Sequence, residues 1–506
     1  MRRKNGQGWL WVSLAAVALA GCGGGGGGGS SSATTATDTG STCVAATTQA
    51  IVSISSVEAL ARSASVSGKS ASVTTRQSLS PSARQVALAE LTSAKMAAET
   101  AQSDLRGAPR KVGFARSLPD SASTLDWQTL ADGRLAASVS ITSPSAKAIR
   151  LGLLVRSLPT DATVRVYAQS ASTAFELAAS DILSALKKNA AAGATGDAAK
   201  TYWTPAVEGA EFTLEVSLPA GGDTTQVDLT VPQISHLFSL PSYEGKDTSD
   251  VSAKIGQSAS CEVDAACDSA YQADSNAVAK IIFVDGGSAY QCTGTLLNDH
   301  LGSGTPYFLS ANHCVSTQTV ASTLQTYWFY RAPSCGAGTL STASTVQTGG
   351  ATLLYASSST DTSFMRLNST PPSGAVYAAW SVSTPALSAT IATLHHPEGD
   401  LLKLSTGTVR AYENCTLSGS SMSCSSTSSS GTNFLDALLT TGSTEEGSSG
   451  SALFQTIGSS HYVVGQLYGG SSSCTNRSGS NIYGRFDAAY NAALQKWLAA
   501  TTVPTC

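Results

Sequence analysis

A basic start (Arg2, Arg3, Lys4) runs into an apolar stretch from Trp9 to Ala20, which has the charge and length of a secretory signal peptide and is too short to span a bilayer. An exported chain folds where thiols oxidise, so its eleven cysteines read as disulfides before they read as metal ligands or redox thiols. Zinc is not expected, because no paired C-x-x-C and no histidine cluster with ligand spacing is present. No later segment offers 18 consecutive apolar residues, so any membrane attachment would be through an anchor alone. At 506 residues the chain is too long for one compact core and reads as two to four domains.

The apolar stretch ends Leu19-Ala20-Gly21-Cys22 ahead of a glycine tract, Gly23 to Gly29, and resembles the lipobox of bacterial lipoproteins, whose cysteine becomes the lipid-bearing N-terminus. The A-x-A pattern Ala18-Leu19-Ala20 offers an ordinary cut instead. Residues 1–22 are therefore read as a signal peptide with Cys22 as the lipidation point, and the mature protein as secreted or as a bacterial outer-membrane or cell-surface lipoprotein. Charged residues make up only 13% of the chain and the net charge is -4, so no basic stripe could neutralise a row of phosphates, and nucleic acid is not expected as a partner.

Residues 23–60, rich in Gly, Ser and Thr, read as a spacer. Residues 61–250 form the next region. Its stretch 82–106 carries Val86, Leu88, Leu91 and Met96 among Ala, Glu and Lys and predicts a helix. From about 110 to 245 short alternating runs (Arg134 to Thr142, Val164 to Ala168, Glu211 to Leu218) predict strands in a β-sandwich. Around 244–260 the chain turns polar and small, the composition of an exposed linker, and precursor cleavage is expected near Lys254-Ile255-Gly256. Residues 255–506 form the last region.

Three pieces of that region carry chemistry. An apolar run from Thr305 ends in His313-Cys314, and Cys292 upstream could close a disulfide to Cys314 that holds the histidine loop rigid. Gly447-Ser448-Ser449-Gly450 frames a serine with the glycines a tight turn needs, so that its hydroxyl projects while the N–H groups of Gly447 and Ser449 point at a developing oxyanion. Asp361 stands between them and opens an apolar strand, as the carboxylate that orients the imidazole should. Asp436 is a rival that lies too close to the serine loop for the usual order.

Together these motifs resemble the lysyl-endopeptidase branch of the chymotrypsin-like serine proteases. Further matches are Cys261-Glu-Val-Asp-Ala-Ala-Cys267, Leu394-His395-His396-Pro397, Gly465-Gln-Leu-Tyr-Gly-Gly470 and Tyr483-Gly484-Arg485. Asp126-Trp127-Gln128 and Tyr202 to Gly209 resemble the family's propeptides. The resemblance implies an all-β fold: a chymotrypsin-like double β-barrel protease domain preceded by a mainly β propeptide with an N-terminal helix. It implies a serine endopeptidase that works through His313, Asp361 and Ser449 and an acyl-enzyme, without a cofactor, on protein or peptide substrates, with its own propeptide as partner and acting as a monomer. It also implies the disulfides Cys261–Cys474, Cys267–Cys335 and Cys292–Cys314. Cys415 and Cys424 flank a Ser-rich loop and are expected to pair, leaving Cys43 and Cys506, and His395 and His396 read as structural.

The sequence departs from the family where substrate would sit. Asn481 stands where the family has the carboxylate that pairs with substrate lysine, Tyr468 replaces a histidine, and Ser443 occupies the position where trypsin-like enzymes carry aspartate. A neutral amide cannot offset the desolvation of an ammonium, so strict lysine specificity is not expected. With Ser448 in place of an aspartate that would capture a new N-terminal amine, activation should depend on removing the propeptide. The alternative from another class is a noncatalytic surface or adhesion protein on a protease scaffold.

Overall fold

The computed structural model describes residues 52–61, 72–75, 82–101, 108–119, 124–239, 255, 257–418 and 421–502. The linker at 240–254, most of the expected cleavage point, the signal segment, Cys22, Cys43 and Cys506 lie outside these residues.

Alternation builds the N-terminal unit. Glu211–Leu218 pairs antiparallel with both Leu135–Thr142 and Thr163–Tyr167, so the predicted strands sit side by side in one seven-stranded sheet. In a second sheet Ala148–Ser157 pairs with Asp228–Leu237, which pairs with Arg110–Ser117. Phe212, Leu214 and Val216 from the first sheet meet Ile149, Leu151 and Leu153 from the second in one core, all fully buried. Burial stabilises each of these side chains by roughly 1.5–3 kcal/mol relative to exposure.

Two expectations need correcting here. Among the described residues of the helix predicted over 82–106, the helical ones are Ser93–Thr100, capped by the Thr92 hydroxyl, which accepts from the Lys95 N–H. Its first part is a strand instead, Arg84–Ala87, parallel to Leu135–Thr142. Helix propensity is a weak preference, and here it yields to a sheet edge and an apolar core that Val86 and Leu88 join. The spacer expected to run to residue 60 ends sooner: Ser56–Val57 and Leu60–Ala61 pair with Trp380–Ser381 and Val376–Tyr377, because Val52, Ile54, Val57 and Leu60 have apolar surface to cover.

The C-terminal unit is a double β-barrel. The first barrel runs Gln325–Trp328, Val278–Asp285, Ser288–Leu297, Tyr307–Ala311, Thr362–Leu367 and Ala351–Ser357, each antiparallel to the next. The second closes on itself. Thr390–His395 leads through Lys403–Ser418, Phe434–Thr441, Asn481–Arg485, Ser460–Gly470 and Ala452–Ile457 back to Thr390–His395. The described residues are therefore all-β in class, with a few short helices between the strands, the longest Ala179–Ala191.

The N-terminal unit joins the first barrel by adding a strand. Arg110–Ser117 pairs with the edge of Ser288–Leu297 (Gly113 opposite Ala289, Arg110 opposite Gln291), making one sheet of twelve strands. Beneath it Val112 and Leu237 share a core with Ile282, Val284 and Tyr330. A buried arginine crosses the junction: Arg150 donates to Thr204 O in its own unit and to Thr323 O in the barrel, both at 2.8 Å.

Candidate active site

The strand Tyr307–Ala311 ends two residues before His313, and the strand that opens at Thr362 lies beside it, with Ala311 opposite Thr362. This register brings Asp361 against the histidine. Asp361 Oδ2 lies 2.8 Å from His313 Nδ1, Oδ1 accepts from the His313 N–H at 3.0 Å, and the Asp361 carbonyl accepts from the Asn312 N–H at 2.9 Å. Three contacts to one residue fix the ring's position and turn. Asp361 adopts a left-handed backbone, φ +50°, which aspartate tolerates better than most side chains and which lets its carboxylate and carbonyl both face the histidine loop. The Cys292–Cys314 disulfide ties the residue after His313 to the neighbouring strand. His313 Nε2 is buried and has no hydrogen-bond partner among the described residues, which leaves it able to take a proton.

The serine loop rests on the same strands. The Ser449 carbonyl accepts from the Thr293 N–H at 2.8 Å, and the Gly447 carbonyl accepts from the Thr293 hydroxyl at 2.9 Å. Gly447 and Gly450 both have positive φ (+89° and +80°), and a side chain on either would meet packed atoms: Gln291 and His396 at Gly447, the Tyr307–Ala311 strand at Gly450. Glycine is required at both points. The Ser449 hydroxyl donates weakly to the Tyr468 carbonyl at 3.5 Å, while the Tyr468 ring stands edge-on to His313, centroids 5.4 Å apart. Tyr468 thus touches both residues.

Asn481 is fully buried at the start of its strand. Its amide oxygen accepts from Thr444 Oγ1 (2.8 Å) and Ser472 Oγ (2.5 Å), and its amide nitrogen donates to the Ala437 carbonyl (2.9 Å). Ser443 meets Ser472, hydroxyl to hydroxyl, at 3.2 Å. This group of side chains is polar and neutral. Glu445 accepts from the Ala259 N–H and burial raises its pKa, so that carboxylate is already engaged in the fold. Asp436, the rival carboxylate, is held by Arg410 and by the Asn481 N–H.

All four bridges the sequence implied are formed: Cys261–Cys474, Cys267–Cys335, Cys292–Cys314 and Cys415–Cys424. Thr293 and Gln291 escaped the sequence reading. One signal for Thr293 was available in its place beside Cys292, on the strand that carries the bridge to the histidine loop.

Residues 255–484 match the lysyl endopeptidase C-terminal domain, and residues 84–238 match the lysyl endopeptidase N-terminal domain. A lysyl endopeptidase of Pseudomonas aeruginosa is 35% identical over 379 residues, covering 72% of this chain and 75% of the relative. Among solved structures, the active form of the Rv3671c protease from M. tuberculosis gives a TM-score of 0.31 at 14% identity, covering 46% of this chain and 86% of that one. An HtrA-type protease with a tripeptide gives 0.31 at 13%, covering 44% and 60%. With both halves matched in order and the relative covered over 75% of its length, this chain belongs to the lysyl endopeptidase family and is a serine endopeptidase.

Proposed function

We propose that the protein is an exported endopeptidase made as a precursor, in which Ser449 attacks the scissile carbonyl, His313 takes the proton and returns it to the leaving amine, and Asp361 orients the imidazole and stabilises its charged form. The N–H groups of Gly447 and Ser449 receive the oxyanion. The observation that carries this reading is the three-point hold of Asp361 on the His313 loop, beside a glycine-framed serine loop resting on the same strands.

Substrate preference shifts away from strict lysine, because Ser443, Thr444, Ser472 and Asn481 put no carboxylate where a lysine side chain would end. Residues 1–22 direct export and Cys22 carries a lipid. The N-terminal unit acts as a propeptide: its Arg110–Ser117 strand occupies the barrel edge beside Gln291, whose side chain lies against Gly447, so its removal opens that side of the cleft.

The test is mass-spectrometric mapping of cleavage sites in a denatured protein mixture, comparing the processed chain with Ser449→Ala. Cuts that vanish in the variant and follow residues other than lysine are expected. Blank maps from both proteins would refute the proposal, and cuts confined to lysine would refute its specificity part.

A further inference from the structure

His395 and Ser448 belong to no step of the reaction, yet they form a buried polar network with the serine loop. His395 ends the strand Thr390–His395 and is fully buried. Its Nδ1 lies 2.8 Å from Ser448 Oγ and its Nε2 lies 3.0 Å from Ser405 Oγ. Ser448 Oγ also accepts from the Glu445 N–H at 3.1 Å, and Ser405 Oγ donates to the Ser443 carbonyl at 2.8 Å.

These contacts set the direction of every proton. The Ser405 hydroxyl spends its one hydrogen on Ser443, so it must accept from His395 Nε2–H. The neutral ring then carries its hydrogen on Nε2, and Nδ1 accepts from the Ser448 hydroxyl. Burial keeps the ring neutral, with its pKa pushed down to about 3. Glu262 stands behind it, its Oε2 3.8 Å from Nε2, and burial with the nearby Glu445 pushes its pKa up to about 8, so it too is uncharged at neutral pH. One imidazole therefore holds the 443–448 loop at both ends, by the Ser443 carbonyl and by the Ser448 hydroxyl.

The next residue works on the same loop. The His396 N–H donates to Thr293 Oγ1 at 3.2 Å, and that hydroxyl donates to the Gly447 carbonyl, while the Gln291 side chain donates to the His396 carbonyl.

We propose that His395 is a positioning residue for catalysis: through Ser448 and Ser405 it fixes the 443–449 turn so that the Gly447 and Ser449 N–H groups face the oxyanion, a duty discharged without any charge on residue 448. The turn is then set by the barrel itself, in the precursor as in the processed enzyme. This inference rests on the proposed reaction.

The experiment compares wild type, Ser448→Ala, His395→Ala and His395→Gln on a peptide amide drawn from the cleavage map, and measures binding of a peptide aldehyde and of the matching peptide carboxamide. The aldehyde forms a tetrahedral adduct with Ser449 whose oxygen needs the two N–H groups; the carboxamide does not. Disordering the turn should lower kcat by about 10- to 100-fold in His395→Ala, short of deleting a donor outright, with KM within about threefold. Ser448→Ala should fall less, and His395→Gln should recover part of the loss, since its amide offers one acceptor and one donor. Aldehyde affinity should drop in step with kcat while carboxamide affinity holds. Unchanged kcat and aldehyde binding in both Ser448→Ala and His395→Ala would overturn the proposal. So would equal losses in both ligands accompanied by a lower melting temperature, which would mark mere packing. A wild-type enzyme without Ser449-dependent cleavage would instead refute the reaction itself, before any of these variants is made.

Discussion

The two halves of the molecule are both built of antiparallel strands around apolar cores, yet they are held together differently. No cysteine lies between Cys43 and Cys261, so the N-terminal unit is held by burial, hydrogen bonds and ion pairs such as Arg165 with Glu215, whereas the four disulfides among the described residues fall between Cys261 and Cys474. On the function proposed above, a propeptide has to persist only until it is cut away, and a barrel pair must last among proteases, including copies of itself. A bridge stabilises chiefly by restricting the unfolded chain, which is a gain that endures after processing.

The largest test of this contrast is reduction. Opening Cys261–Cys474, which spans 213 residues, should cost about 5 kcal/mol in the chain-entropy account, against about 3 kcal/mol for Cys415–Cys424, which spans 9. Denaturant unfolding of Cys261→Ser/Cys474→Ser and Cys415→Ser/Cys424→Ser in the Ser449→Ala background checks the order. If hydrogen exchange shows reductant loosening residues 124–239 before the barrels, the contrast fails.

A smaller effect is expected at the junction. Arg150 is buried with one donor to each unit, and its pKa is lowered to about 10 by burial. Arg150→Met keeps the apolar bulk and leaves the Thr204 and Thr323 carbonyls unpaired, a loss of about 1–3 kcal/mol. In the Ser449→Ala precursor, limited proteolysis by an added protease should then cut the N-terminal unit faster while the barrels stay intact. Equal protection of the two proteins would show that strand addition at Arg110–Ser117 and the apolar core beneath it set the junction without Arg150.

The sequence disclosed the catalytic candidates because each sits in a short local frame: His313 beside Cys314, Ser449 between glycines, Asp361 at the head of an apolar strand. It also disclosed the sandwich strands, whose period of two is a local property. What it withheld depends on contacts between distant residues. Arg110 and Gln291 pair across 181 positions of sequence, and neither segment announces an open edge. Arg84–Ala87 has the composition of a helix and becomes a strand because a sheet edge is there to receive it. The His395 network was hidden for a different reason: in a chain this rich in serine, Ser405, Ser443 and Ser448 look like any other serines until the fold gathers them around one ring.

The effect confined to the fewest residues separates the units by pH. In the N-terminal unit His236 is fully buried, stacked on Phe114 and 2.8 Å from the Ser143 hydroxyl, and burial together with Arg116 pushes its pKa down to about 4. Because the folded value lies below the unfolded one, near 6.5, this histidine's contribution is present above pH 6.5 and is lost as pH falls toward 4. Glu262 in the barrels runs the other way. Its folded value of about 8 lies above the model-peptide value near 4.5, so its contribution is full below pH 4.5 and is lost as pH rises through 8. His236→Gln should therefore flatten the slope of exchange protection in Asp228–Leu237 between pH 6.5 and 4, by at most about 3 kcal/mol, and Glu262→Gln should flatten the slope around Val263–Asp264 between pH 4.5 and 8, each without touching the other unit. Buried His395 and His396 also weaken the barrels in acid, so only exchange read strand by strand, rather than a global melt, isolates the share that belongs to His236.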